Sequence, residues 1–154
     1  MSSSKVVVIT GGNRGIGLGL VKEYARKGWQ VLATCRNPES APQLRALQDN
    51  SSNVKVLSCD ISNNESIENC ITDIKNLSFD CVDLLINNAG VSNKRHPDDL
   101  ASQTDREEMV SIFNTNVGGP LSVTNAMAKL LLAAENPLVL NISSRLGSIS
   151  SCDM

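Results

Sequence analysis

The sequence predicts an α/β fold, a doubly wound sheet of parallel strands with helices on both faces. Two observations carry that expectation. Short apolar runs, rich in β-branched residues, alternate along the chain with segments whose apolar residues recur at helical spacing, and such alternation builds parallel sheets. The runs also lack polar alternation, as strands covered on both faces do. With 154 residues the chain has the length of one domain, and residues 1–154 read as one continuous unit.

The first strand spans Lys5–Thr10 and breaks at the glycine-rich stretch Gly11–Gly17. Leu18, Val21 and Ala25 then mark a helical face that Ile16, Leu20 and Tyr24 broaden, and Gly28 supplies the stop. Trp29–Cys35 is the second strand. Glu39–Gln48 is a weaker helix, with Pro42 in its first turn and Leu44 and Leu47 facing inward. Val54–Leu57 is the third strand. Behind it Ser62 and Glu65 form a capping box, and Ile67, Cys70, Ile71 and Ile74 form the buried face of a helix.

Cys81–Ile86 is the fourth strand and ends in Asn87-Asn88-Ala89-Gly90. The polar stretch Val91–Gln103 reads as a loop. Thr104–Ala133 reads as one long helix with Met109, Ile112, Phe113, Val117, Leu121, Thr124, Ala128 and Leu131 on its buried side. Inside it stands Pro120, whose missing N–H leaves the carbonyl four residues earlier, that of Asn116, without a helical partner. A local break is expected there. Pro137 leads into the fifth strand, Leu138–Ile142, whose apolar pattern suits a strand paired on both sides. With nothing after it to pair, its outer edge would be open and prone to aggregate.

Composition narrows the function. Fourteen basic and 16 acidic side chains give a net charge of −2 with no basic run, which removes the electrostatic basis for nucleic-acid binding. Aromatic residues are 3%, too few for base-stacking platforms. No apolar run approaches the roughly 20 residues that span a bilayer. The polar amino terminus and the short run behind it do not form a signal peptide, so a cytoplasmic location is expected. Cys35, Cys59, Cys70, Cys81 and Cys152 are widely spaced and odd in number, and His96 is the sole histidine. Neither a disulfide scaffold nor a metal site fits; reduced, mostly buried thiols do.

The chemistry-bearing signals sit where strands end. Thr10-Gly11-Gly12-Asn13-Arg14-Gly15-Ile16-Gly17 joins the first strand to the first helix. A glycine turn lets backbone approach a pyrophosphate, and the helix amino end offers unpaired N–H groups and a positive dipole end. The spacing G-x-x-x-G-x-G differs from both the general dinucleotide fingerprint and the P-loop. Glycines also serve turns that bind nothing, but placement between strand and helix favours binding.

At the end of the second strand, NAD-preferring folds usually place an acid for the ribose hydroxyls. Here the residues are Thr34-Cys35-Arg36-Asn37, with no acid before Glu39. Arg36 suits a 2′-phosphate through its planar fork, and Arg14 can assist it, which favours NADP(H).

The glycine motif, Cys59-Asp60-Ile61, N-N-A-G, Asn116 and Ser143-Ser144-Arg145-Leu146-Gly147 occur in the order of the short-chain dehydrogenase/reductase family. The S-S-R-L-G-S-I form, with N-T-N-V-G-G-P upstream, most resembles carbonyl reductases of the sniffer and C-factor-like branch. The resemblance implies a Rossmann-like NADP-binding domain over residues 1–154. Gly11, Gly15 and Gly17, with Asn13 and Ile16 between them, would shape the pyrophosphate turn. Asp60 would bond the adenine amino group and main-chain atoms of Ile61 would pack beside it. Asn87, Ala89 and Gly90 would close the central strand against the ribose.

Asn116 resembles the asparagine whose main chain holds a relay water, and Ser144 matches the catalytic serine by its spacing to Gly147. Plain alternatives stand beside these roles: Asp60 as a helix-entry group, Asn87 as a strand-end partner, Asn116 as part of a packing kink, Ser144 as a turn residue. The family implies reduction of a carbonyl substrate (aldehyde, ketone or quinone) by NADPH, in a parent protein that can be a homo-oligomer. The family's Tyr-x-x-x-Lys lies beyond the serine, and the sequence ends at Met154, so the sheet is expected to be cut after the fifth strand. The competing expectation is a non-catalytic nucleotide-binding or interaction protein derived from the family.

Overall fold

The computed structural model describes residues 4–92, 105–144 and 148. Five parallel strands, β1 (Val6–Thr10), β2 (Gln30–Cys35), β3 (Val54–Ser58), β4 (Leu84–Asn87) and β5 (Leu138–Asn141), form one sheet in the order β3-β2-β1-β4-β5. The helices are α1 (Gly15–Arg26), α2 (Pro42–Asn50), α3 (Asn64–Asn76), α4 (Arg106–Phe113) and α5 (Gly119–Leu132). This is the doubly wound, Rossmann-like α/β fold.

Strand alternation sorts the core into two layers. Val7, Ile9, Val31 and Ala33 point to the face covered by Leu18 and Val21 of α1 and Leu44 of α2. Val6, Val8, Leu32 and Leu85 point to the other, against Ile67, Cys70, Ile71 and Ile74 of α3 and Val123, Met127 and Leu131 of α5. Every residue of β1 is buried, which is why its sequence shows no polar alternation.

Several boundaries differ from the sequence reading. The second helix is split: a short 3-10 turn, Pro38–Ser40, is capped by the Asn37 side chain, and α2 starts afresh at Pro42. The expected capping box at Ser62 does not form. Asn63 is the cap, its Oδ1 accepting from the Ser66 N–H at 2.9 Å, while the Ser62 hydroxyl donates to Asp60 Oδ1 at 2.7 Å. Asn is as good a cap as Ser, and the Asp60 carboxylate already engages Ser62. The fourth strand starts at Leu84, three positions after the expected Cys81. There Asp83 turns its carboxylate back to accept from the Val6 N–H at 2.8 Å.

The expected long helix is broken where Pro120 required. Asn114–Gly118 form a single π-helical turn in which the Gly119 N–H reaches the Asn114 carbonyl. The expected buried stripe is met in part, Leu131 being buried as expected. Val123, Met127 and Leu131 are buried, whereas Met109, Phe113, Val117 and Leu121 are all more than half exposed. A π turn inserts one residue into the helical ladder and rotates everything behind it by about 100°. A single stripe therefore does not run through both helices, and α4, ahead of the turn, buries no residue. The stretch Val91–Gln103 is described only to Ser92, and Thr104, His96, Arg145–Gly147 and Cys152 also lie outside the described residues.

Candidate cofactor-binding groove

The strand order reverses at β1, with β2 on one side and β4 on the other. Loops leaving the carboxyl ends of these strands part in opposite directions there and open a crevice, the general ligand position of open α/β sheets. A groove of about 630 Å³ occupies it. Gly11, Asn13, Arg14, Gly15, Ile16, Gly17, Arg36, Asp60, Ile61, Ala89 and Gly90 line it together, from four separate strand ends. Asn87, Asn116 and Ser144 do not line it.

The glycine turn is built for close approach. Gly11 has φ +68° and Gly15 φ +54°, left-handed conformations that glycine adopts without strain. A Cβ on Gly17 would lie 2.2 Å from the Gly11 carbonyl oxygen, so only glycine lets α1 begin this near to β1. At Gly15 a Cβ would meet nothing within 4 Å, which leaves the backbone open to the groove. The amino end of α1 has no side-chain cap and no acid in its first turn, unlike α3 and α4, capped by Asn63 and Asp105. Its first N–H groups thus remain donors for an anion. The residues present fit a dinucleotide pyrophosphate.

Two residues to which the motif spacing assigns no role, Thr10 and Asn88, hold the turn in place. Asn88 Nδ2 donates to the Thr10 carbonyl at 2.9 Å and the Gly11 carbonyl at 3.1 Å. Thr10 Oγ1 in turn accepts from the Asn88 and Ala89 N–H groups at 3.0 and 3.1 Å. The end of β4 is thereby laced to the end of β1 across the switch point. The signal was visible, since Asn88 stands inside N-N-A-G, but its partners are more than seventy residues away in sequence.

Further residues complete the walls. Cys35, Asn37 and Ser40 line the groove beside Arg36, Cys59 and Ser62 flank Asp60, and Thr115 of the π turn approaches from above β4. Glu39, the nearest acid to Arg36 in sequence, does not line the groove; it forms an ion pair with Arg45 of α2.

Asn87 lies beneath the groove, 4% exposed, and its Nδ2 donates to Asn141 Oδ1 at 2.9 Å and Thr124 Oγ1 at 3.2 Å. It ties β4 to β5 and α5. Asn116, in the π turn, faces β4: its Nδ2 donates to the Val91 carbonyl and its Oδ1 accepts from the Val91 N–H, both at 2.8 Å. Ser144 follows β5 and is exposed. Among the described residues no three His, Cys, Asp or Glu side chains are grouped to hold a metal, and no helix is long and apolar enough to cross a membrane.

The short-chain dehydrogenase family model matches residues 5–153. The chain belongs to the short-chain dehydrogenase/reductase family.

Among relatives, an uncharacterized oxidoreductase of Schizosaccharomyces pombe is 34% identical over 151 residues, 97% of this chain and 58% of that protein. The 3-oxoacyl-[acyl-carrier-protein] reductase of Haemophilus influenzae is 31% identical over 144 residues, 94% of this chain and 57% of that enzyme. The chain thus spans less than two thirds of the length of these relatives. The NADPH-bound carbonyl reductase from chicken fatty liver superposes with a TM-score of 0.88 at 28% identity, over 96% of this chain and 60% of that one. The carbonyl reductase Sniffer of Drosophila melanogaster gives 0.84 at 31% identity, over 96% and 64%. The family is one of oxidoreductases that bind a nicotinamide cofactor.

Proposed function

We propose that this chain is the cofactor-binding part of an NADPH-dependent reductase of carbonyl compounds, whether aldehydes, ketones or quinones, acting in the cytoplasm. One observation carries the reading: Arg14 and Arg36 line the same groove as the uncapped amino end of α1, and no carboxylate stands at the end of β2. Two guanidinium groups suit a 2′-phosphate, whereas ribose hydroxyls would call for an acid.

On this reading the main chain from Gly11 to Gly17, Asn13 and Ile16 included, receives the pyrophosphate. Asp60 and the main chain of Ile61 hold the adenine. Ala89 and Gly90 meet the ribose, with Asn87 fixing their strand from below. The bound cofactor supplies the hydride that a carbonyl carbon accepts. Ser144 donates its hydroxyl to the carbonyl oxygen and steadies the charge developing there. Asn116 keeps its main-chain carbonyl available for a proton-relay water, because Pro120 offers that carbonyl no N–H.

The family's Tyr-x-x-x-Lys is not among these 154 residues, so nucleotide binding is the test. NADPH and NADH are titrated separately into the full chain, followed by nicotinamide fluorescence. NADPH should bind roughly tenfold tighter or more, about 1.4 kcal/mol. Equal affinities, or a preference for NADH, would contradict the reading.

A further inference from the structure

Main-chain donors between Cys59 and Asn63 are almost all spent inside the chain. The Cys59 N–H donates to the Cys35 carbonyl at 2.9 Å and the Asp60 N–H to Ser66 Oγ at 2.9 Å. The Ser62 N–H donates to Asp60 Oδ1 at 3.0 Å and the Asn63 N–H to the Asp60 carbonyl at 3.1 Å. In this run the Ile61 N–H has no acceptor among the described residues, although Ile61 is only 6% exposed. Buried main-chain donors are rarely left unpaired, so this one points to a partner outside the chain.

The Asp60 carboxylate is divided in the same way. Its Oδ1 accepts twice from Ser62, from the N–H and, at 2.7 Å, from the hydroxyl. Its Oδ2 accepts from no group among the described residues, and no cation pairs with the carboxylate there. Asp60 and Ile61 both line the groove. One free acceptor and one free donor thus stand on adjacent residues of its wall.

We infer that Ser62 is a positioning residue that sets the base selectivity of the groove. By holding Asp60 Oδ1 it leaves one fixed acceptor beside the Ile61 N–H, a pair that takes a 6-aminopurine and rejects a 6-oxopurine. The inference rests on the proposed seating of the cofactor base at Asp60 and Ile61; the role of Ser62 goes beyond that reading.

The selectivity follows from the edges of the bases. A 6-aminopurine carries a donor at its amino group and an acceptor at N1, the complement of Oδ2 and the Ile61 N–H. A 6-oxopurine reverses both, so its oxygen would face Oδ2 and its N1–H the Ile61 N–H. Polar groups left unpaired in a desolvated site are what such a site rejects most strongly. Rejection also needs a carboxylate that does not turn. A free carboxylate can rotate and offer an oxygen to the N1–H, whereas two donors on Oδ1 fix its plane. The main chain is equally confined. Ser66 holds the Asp60 N–H, and α5 packs so near that a Cβ on Gly119 would lie 2.9 Å from the Ile61 carbonyl oxygen. Ser62 itself is exposed, so its replacement leaves the core intact.

The full chain, Ser62→Ala and Ser62→Thr are titrated with NADPH and with its reduced hypoxanthine analogue, followed by nicotinamide fluorescence. The unaltered chain should bind NADPH about tenfold tighter than the analogue or more, the scale of a lost hydrogen bond to a charged group. Ser62→Ala should narrow that ratio to about threefold or less, and Ser62→Thr, which keeps the hydroxyl, should retain it. Hydrogen exchange at the Ile61 amide should slow with NADPH and not with the analogue.

An unchanged ratio in Ser62→Ala, with both nucleotides weakened alike or not at all, would overturn the inference. So would an unaltered chain that binds the two bases equally. Parallel titrations with NADH and its hypoxanthine analogue separate this from the cofactor reading. If NADPH and NADH bind alike while the base ratio holds and collapses in Ser62→Ala, the 2′-phosphate reading fails and the role of Ser62 stands. A chain that binds none of the four nucleotides overturns both.

Discussion

Asn116 grips Val91 by both of its main-chain groups, N–H and carbonyl, each at 2.8 Å. The grip couples the π turn to the segment that leaves β4 beside the groove. The turn presents Asn116 to the end of β4, and Gly90 lies close enough that a Cβ there would sit 3.3 Å from Asn116 Oδ1. Asn116→Ala removes a donor and an acceptor at once. The expected loss is about 1–2 kcal/mol for two neutral hydrogen bonds, with faster amide exchange at Val91. Unchanged protection of Val91 would show that the pair does not hold the segment.

The glycine turn gives a matched pair of substitutions on one helix. Gly17→Ala forces a methyl to 2.2 Å from the Gly11 carbonyl oxygen and 2.5 Å from Asn88 Nδ2. It should cost about 3 kcal/mol, the upper end for overpacking, and abolish nucleotide binding. Gly19→Ala, two residues on, meets nothing within 4 Å and should stabilise α1 by about 0.5–1 kcal/mol. Thermal denaturation of both variants checks the claim, and similar melting temperatures would refute it.

The ion pair of Glu39 with Arg45 bears on cofactor choice. Glu39 is the acid nearest Arg36 in sequence, and Arg45 holds it to α2, outside the groove lining. Arg45→Ala frees a carboxylate beside the proposed phosphate site. NADPH affinity should fall about two- to threefold, in keeping with the ~0.2–1 kcal/mol of an exposed pair, with NADH unaffected. The added Glu39→Gln change should restore it. Loss that persists in the double variant would assign Arg45 another role.

Acid stability offers a check on the surface of α1. Hydrogen bonds from Arg26 and Lys27 hold the Glu23 carboxyl below its ordinary value of 4.5. A folded-state value lower than the unfolded one adds stability above the unfolded pKa, lost as pH falls through the folded pKa. Glu23→Gln should therefore flatten the acid limb of the stability curve, lowering stability slightly at neutral pH and leaving it unchanged below the folded-state pKa. A steeper acid limb would contradict the sign.

Most of the sheet was legible because β1 and β2 are buried on both faces and their sequences say so with unbroken apolar runs. The groove was legible because the glycines, Arg36 and Asp60 each stand at a strand end, which the motif spacing located. What escaped has a common cause. The grip of Asn88 on Gly11 and of Asn116 on Val91 are side-chain to main-chain bonds between distant segments, and no local pattern encodes them. Of the buried face of α5, Leu131 was legible but Val123 and Met127 were not, because Gly119 to Leu132 is apolar around most of its circumference and several stripes fit.

Arg36, in the groove lining, is the group proposed to read the cofactor's 2′-phosphate. The direct measurement is the dissociation constants of NADPH and NADH for the full chain and for Arg36→Asp, after circular dichroism has shown both folded. Arg36→Asp should weaken NADPH by about 1.5–3 kcal/mol, the worth of a hydrogen bond to a charged group, and leave NADH nearly unchanged. Equal losses for the two nucleotides would contradict it.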